Sequence, residues 1–308
     1  LNKSHIDRLL SLIAHISRGQ TKITLKNNTD FRNILHSATT QVMPFTKHDI
    51  TVPYKQEECV YEVHALPIWE WALNLLENPL LAPHFIWDAQ CVYKHNGAGF
   101  ERFYDELWTA DRWWDVQVLL SNLLPCDLIA APLCFIVYAN KTRLSSHSTV
   151  KGYPVMVHCA NLLVGIRNGE GISSGCVIGL LPIVSEDASE EGKIGFTNLK
   201  CVIWHKSFVK FLELVAQYLK TGYSYKCFDQ ILCWLFPILL ILSADYEEQC
   251  MMSLICGHHS KCPCLVCIVL LDELHDLSKS FWLRSMQDVM AALDAYEENK
   301  ACGEEFLE

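Results

Sequence analysis

The sequence has no apolar run long enough to cross a bilayer. The longest, Ile231 to Ala244, falls short of the ~18 residues a spanning helix needs and contains Pro237. Nor is there an excess of positive charge. Its 25 Lys and Arg stand against 35 Asp and Glu, a formal net charge of −10, so a broadly basic nucleic-acid face is excluded. Any contact with a polyanion has to be local, metal-assisted or made by chain beyond this sequence. Low-complexity tracts and internal repeats are missing, which leaves no disordered linker to place. Residues 1–20 are not expected to be a secretory leader, since they alternate polar and apolar at helical spacing without a cleavage-like end. The 15 cysteines are therefore expected as reduced thiols in an intracellular compartment and not as a disulfide scaffold. The chain opens on Leu1, as a processed, trimmed or fragmentary product would. His-Glu-x-x-His does not occur. Gly165 to Gly171 has neither the Lys-Ser/Thr of a P-loop nor the spacing of a dinucleotide fingerprint, and is expected as a β-hairpin connection.

What is present is material for a core, with 51% hydrophobic and 11% aromatic residues. Ser4 can cap a first helix with Ile6, Leu9, Leu10 and Ile13 as its apolar stripe. A short strand, Thr21 to Leu25, leads to a second helix capped by Thr29. Two β-rich runs follow at 49–54 and 58–65. Pro67 then starts a helix whose Ile68, Trp71, Ala72, Leu75 and Leu76 share one face, and Asn78-Pro79 stops it. Residues 85–118 are rich in aromatics interleaved with acids. Base stacking normally comes with Lys and Arg, so packing against a main sheet is the favoured reading.

From Pro132 the pattern turns to β. Strands are expected at 133–139, 153–160 and 176–184, with an acidic, Ser/Gly-rich surface loop at 185–195. His205 to Leu219 reads as a helix ended by Gly222, and Pro237 to Ala244 as a central strand buried on both faces. A last helix is expected at 281–298. The fold class is thus α/β: a mixed-sheet core ordered β-β-β-α-β, as in ribonuclease-H-like nucleases, with an α+β N-terminal region. The division is expected at 1–125 and 126–308, with the second part expected to be incomplete at its C-terminus.

Two of these strands stop at polar residues, Asn140 and Asp245. Strand ends suit two-metal chemistry because a rigid backbone projects side chains into a crevice at the sheet edge. Asp245 is a candidate Mg²⁺ ligand. The plain alternative is a helix cap, with Glu247 and Glu248 suiting the following turn. Asn140 sits where a partner carboxylate belongs, and its amide oxygen brings no charge to a dication. Cys262-Pro263-Cys264-Leu265-Val266-Cys267 could give three thiolates to one zinc, with Cys256, His258, His259 or His275 as the fourth ligand, or could be free thiols at a turn.

Several stretches resemble the Plavaka-type transposases of basidiomycete fungi, grouped with CACTA-like and Kyakuja-Dileera-Zisupton elements. They are Trp87-Asp88-Ala89-Gln90, Glu101 to Glu106 with Trp108-Thr109-Ala110, Lys151-Gly152-Tyr153-Pro154-Val155, Ile166-Arg167-Asn168-Gly169, Trp204-His205, Leu242-Ser243-Ala244-Asp245-Tyr246-Glu247-Glu248-Gln249, and Cys262-Pro263-Cys264. The resemblance implies cut-and-paste transposition through a ribonuclease-H-like, Mg²⁺-dependent DDE or DDD site, with transposon-end DNA as partner and the nucleus as location. Asp245 would be its second acid. The first belongs in Tyr-Ala-Asp-Lys-Thr, where this chain reads Tyr138-Ala139-Asn140-Lys141-Thr142. The family's Cys-Gly-Asp-Gly stretch is altered to Cys227-Phe228-Asp229-Gln230. The third acid is expected to be missing, since nothing singles out Glu297, Glu298, Glu304 or Glu305. A catalytically inactive transposase remnant is the expectation. Its rivals are a domesticated, zinc-stabilised DNA- or protein-binding module and an unrelated nuclease using Asp229 and Asp245.

Overall fold

Ten consecutive residues, 130–139, alternate across two covered faces, and this strand becomes the centre of the sheet. The computed structural model describes residues 3–16, 25–39, 44–123, 129–144, 150–169, 175–185, 189–190, 192–227, 230–255, 257–285 and, singly, 287, 290, 291 and 294. In chain order they form α1 (Lys3–Ile16), α2 (Asn28–Thr39), β1 (Thr46–Tyr54), β2 (Glu57–Ala65), α3 (Ile68–Glu77), β3 (Val92–His95), β4 (Phe100–Phe103) and α4 (Asp111–Leu123). Then come β5 (Ala130–Ala139), β6 (Thr142–Arg143), β7 (Lys151–Gly152), β8 (Pro154–Cys159), the one-turn α5 (Val164–Arg167) and β9 (Cys176–Leu180). The chain continues through α6 (Ile194–Thr221), β10 (Tyr223–Lys226), β11 (Leu232–Ser243) and α7 (Tyr246–Ser253).

Seven strands make one mixed sheet, ordered β1-β2-β9-β8-β5-β11-β10. All its pairings are antiparallel except β5 with β11. A parallel pair cannot be closed by a tight turn, and α6 supplies the crossover. The β1–β2 hairpin extends the same sheet through β9, so the N-terminal half shares its core.

Leu133, Phe135, Val137 and Ala139 of β5 point into the larger core with α3 and α6, while Cys134 and Ile136 point the other way. There Trp108 and Trp113 cover them, which bears out the packing reading of the aromatic segment for these two residues. Phe100, Tyr93 and Tyr104 of that segment are exposed. Asn161, fully buried, ties segment to sheet: its Nδ2 donates to Ile86 O at 2.8 Å and Pro132 O at 2.9 Å, and its Oδ1 accepts from Cys134 N at 2.8 Å. Every polar atom of that amide is used, which is why an Asn is tolerated there.

The elements depart from sequence expectation where tertiary contacts override local pattern. The helix expected from His205 begins at Ile194, because Phe196, Leu199 and Ile203 continue its buried stripe; Gly222, at φ +66°, ends it as expected. The segment holding Gly165 to Gly171 connects antiparallel neighbours, β8 and β9, as expected, and within it Val164–Arg167 adds a helical turn. Glu106 Oε1 accepts Val164 N–H at 2.8 Å, and Arg167 is buried against Leu162 O at 3.1 Å. Asn27 rather than Thr29 caps α2, its Oδ1 accepting Asp30 N–H at 2.9 Å. Of the α1 stripe only Leu10 is buried. β11 is buried only as far as Pro237, because β10 pairs with Leu232–Leu235 and leaves the rest an edge. Pro237 lies just past that pairing, where a missing N–H does least harm. Phe281 to Ser285 is extended, pairing Leu283 with Cys267, and the described residues Gln287, Met290, Ala291 and Asp294 are helical. The expected strand at 21–25 lies, apart from Leu25, outside the described residues.

Gly179 of β9 lies under α6, and a Cβ there would stand 2.0 Å from Phe211 Cε1. Gly179→Ala is expected to cost about 1–3 kcal/mol by overpacking, read from urea unfolding. The 185–195 loop, expected simply on the surface, buries Glu190. Lys55 Nζ lies 2.6 Å from it, Tyr54 OH donates to it at 2.7 Å and Lys193 Nζ lies 3.0 Å away. These three, Lys55 foremost, hold its carboxyl down at about 2. A depressed carboxyl stabilises above its unfolded value and loses that contribution as pH falls toward 2. Melting temperature followed from pH 5 to pH 2 is expected to drop less steeply in Glu190→Gln than in the unmodified chain.

Candidate metal centre

β5 and β11 run in parallel register as far as Tyr138 beside Ser243. Two residues beyond that pair lie Asn140 and Asp245, at the same end of the sheet. The register reaches this alignment through a bulge, since Leu239 faces Phe135 but Ile241 faces Ile136. The two expected positions thus follow the ends of neighbouring parallel strands.

Asp245 also performs the plainer role. It is the N-cap of α7, and its Oδ1 accepts Glu248 N–H at 3.0 Å. The Nδ2 of Asn140 donates to Tyr138 OH at 2.7 Å, which leaves its Oδ1 as the acceptor turned elsewhere.

A third residue joins them. Asp245-x-x-Glu248 has capping-box spacing, yet Glu248 turns inward, taking hydrogen bonds from Tyr153 OH and the Lys141 backbone N–H. Tyr153 is itself oriented by Trp204, whose Nε1 donates to its hydroxyl at 2.9 Å. Glu248 is only 7% exposed, and its Oε2 is buried with no hydrogen-bond partner. Burial first, and then Asp245 beside it, push its carboxyl up to about 7. Asp245 is held below the ordinary range, chiefly by the hydrogen bond from Glu248. Burial, with Glu248 next in effect, pushes the Tyr153 hydroxyl up. A cavity of about 280 Å³ opens beside this group, lined among others by Lys141, Tyr153, Trp204, Glu247 and Glu248.

The cysteine turn lies behind α7. Tyr246 OH donates to Pro263 O at 2.8 Å, and Arg284 clamps the carbonyls of Cys264 and Cys262 at 2.8 and 2.7 Å. Cys264 Sγ accepts the N–H groups of Val266 and Cys267, both at 3.4 Å, and the first of these does most to lower its thiol. Among the described residues, no three His, Cys, Asp or Glu side chains gather to hold a metal ion. Cys256 and the His259 side chain lie outside the described residues, as do Asp229 and the acids at 297, 298, 304 and 305. No helix among the described residues is long and apolar enough to cross a membrane.

The sequence model of the Plavaka transposase family matches residues 25–308. The chain belongs to the Plavaka transposase family. No curated protein and no solved structure matches it. A Plavaka transposase is a transposon-derived DNA transposase, a class that binds DNA and generally uses divalent metal ions. The strand-end group of this Plavaka chain fits such an ion in kind: two carboxylates and an amide oxygen are hard donors, and one buried carboxylate oxygen lacks any partner. It is deficient in charge, because Asn140 contributes none. From the sequence, Glu248 is expected to suit the turn after Asp245, and Glu248, Tyr153 and Lys141 stand within family-like stretches without a role at the site. The signal available was the Asp-x-x-Glu spacing directly after an apolar strand.

A raised carboxyl favours folding below its unfolded value and weakens it as pH rises toward 7. Glu248→Gln is therefore expected to flatten the loss of melting temperature between pH 4.5 and pH 7. In Asp245→Asn, ¹³C NMR titration of Glu248 should give a lower midpoint that stays above the ordinary carboxylate value, since burial is the larger cause.

Proposed function

We propose that the chain is a transposase-derived, ribonuclease-H-like core directed at DNA in the nucleus, whose strand-end cation site is weakened by Asn140 so that it does not cleave strands. The topology supports the fold: antiparallel β5, β8 and β9, then the crossover helix α6, then β11 parallel to β5. One observation carries the functional reading. Among the described residues, the only parallel pairing in the large sheet is that of β5 with β11, and Asn140 and Asp245 follow it at the same end of neighbouring strands.

Bound there, a divalent ion would neutralise phosphate charge and activate a nucleophile. Asp245 would hold it with a full charge and Asn140 with a neutral oxygen. Tyr153, fixed by Trp204, orients the Glu248 carboxyl alongside. With a net charge of −10, the surface as a whole does not recruit DNA.

A second reading, a zinc-stabilised DNA- or protein-binding module without catalysis, is favoured by one feature. Two backbone N–H groups directed at Cys264 Sγ stabilise a thiolate at the cysteine turn. Zinc retained at one equivalent after dialysis, and lost in Cys264→Ser, would support it.

The deciding experiment is calorimetric titration of Mg²⁺ and Mn²⁺ into the unmodified chain and Asn140→Asp. Binding at least about tenfold tighter in the variant is expected, the scale of about 1.4 kcal/mol. Equal affinities would remove Asn140 as the deficit. Cleavage of transposon-end DNA by the unmodified chain with Mg²⁺ would overturn the inactive reading.

A further inference from the structure

We propose that Glu248 is itself a cation ligand of this centre and supplies part of the charge that Asn140 lacks; the inference rests on the strand-end reading above. Three observations converge on it. Glu248 is more than nine-tenths buried, yet its Oε2 has no hydrogen-bond partner. An acid oxygen left bare away from water is costly, and such groups in folded proteins are paired or coordinate metals.

Its position is the second observation. Asp245 and Glu248 stand three residues apart on the first turn of α7, where side chains at that spacing neighbour one another. The Lys141 backbone N–H reaches Glu248 from the end of β5, so this carboxyl lies between the ends of β5 and β11. The third is the scaffold. Trp204 of α6 holds Tyr153, and Tyr153 holds Glu248, so the group stands on two rigid elements rather than on a loose loop. Glu247, its neighbour in sequence, is exposed and serves as the internal contrast.

A divalent ion held by Asp245, Glu248 and Asn140 Oδ1 would have two charged oxygens and one neutral one. Binding in the unmodified chain would then be weak but not lost, and it would depend on Glu248 as strongly as on Asp245.

The test uses the whole chain with Mn²⁺ as probe, followed by electron paramagnetic resonance of free Mn²⁺ and by the melting-temperature rise that Mn²⁺ produces. Glu248→Gln and Asp245→Asn are each expected to weaken binding by roughly 10–100-fold, the scale seen even when an outer partner of a ligand is lost. Glu247→Gln should weaken it clearly less than either, because Glu247 lines the same cavity but is exposed and screened by solvent. Metal-free melting is measured alongside. Should Glu248→Gln unfold, Glu248→Asp takes its place, keeping the charge but shortening the reach, with the same direction expected.

Unchanged Mn²⁺ affinity in Glu248→Gln, beside a loss in Asp245→Asn, overturns the inference and leaves the strand-end reading standing. A loss in Glu247→Gln equal to that in Glu248→Gln overturns it as well, because the effect would then be general charge. No change in Asp245→Asn would instead bring down the strand-end reading, and the inference with it.

Discussion

The pairing of β5 with β11 is the constraint on which the remaining arrangement depends. Two parallel strands have their C-terminal ends on the same side, so whatever follows each strand is brought together without a loop having to reach. That geometry requires a crossover, and α6 meets the requirement by spanning Ile194–Thr221 across one face of the sheet. The apolar stripe of α6 and the alternation of β5 are two halves of one core, which explains why Phe211 can rest on Gly179 with no side chain between them.

Helix α6 does more than cover the sheet. Trp204 is one of its core residues and also the donor that fixes Tyr153, which in turn reaches Glu248 on α7. Core packing and the polar group at the strand ends therefore meet in a single indole. Its ring stacks on Phe208, with centroids 4.6 Å apart, while its N–H faces the polar side. An aromatic with one apolar face and one donor suits such a boundary. The cysteine turn is attached to the same helix α7 from behind, through Tyr246 and Pro263.

Much of this was legible from residue pattern, for identifiable reasons. Strands β5, β8 and β11 announce themselves by runs of apolar residues that end at Ala139, Ala160 and Ala244, and helix α3 by its Pro67 start and 3.6-residue stripe. Less legible were features set by contacts distant in sequence. The N-terminal extension of α6 has weak periodicity until the sheet is there to receive Phe196 and Leu199. The α5 turn exists because Glu106 accepts from Val164, which no local pattern announces. Glu248 was hidden for a related reason. In the sequence it is one of two adjacent acids after a cap, and only the end of β5 and Tyr153 single it out from Glu247.

The bulge at Leu240 has a consequence for how such a chain can change over generations. Side-chain direction in a strand has period two, so one extra residue decides which of two faces everything downstream presents. Leu239 and Leu242 both pack toward the α6 face, a spacing of three that only the bulge allows. An apolar exchange at Leu240 alters a side chain at the margin of the smaller core. Loss of its codon would only remove the bulge: Ile241 would still lie beside Ile136 and Ser243 beside Tyr138, so Asp245 would keep its place at the strand end next to that of Asn140. The acid is thus buffered at this one position against substitution and three-nucleotide deletion alike, and brittle toward the same deletion at the paired residues Ile241 to Ser243.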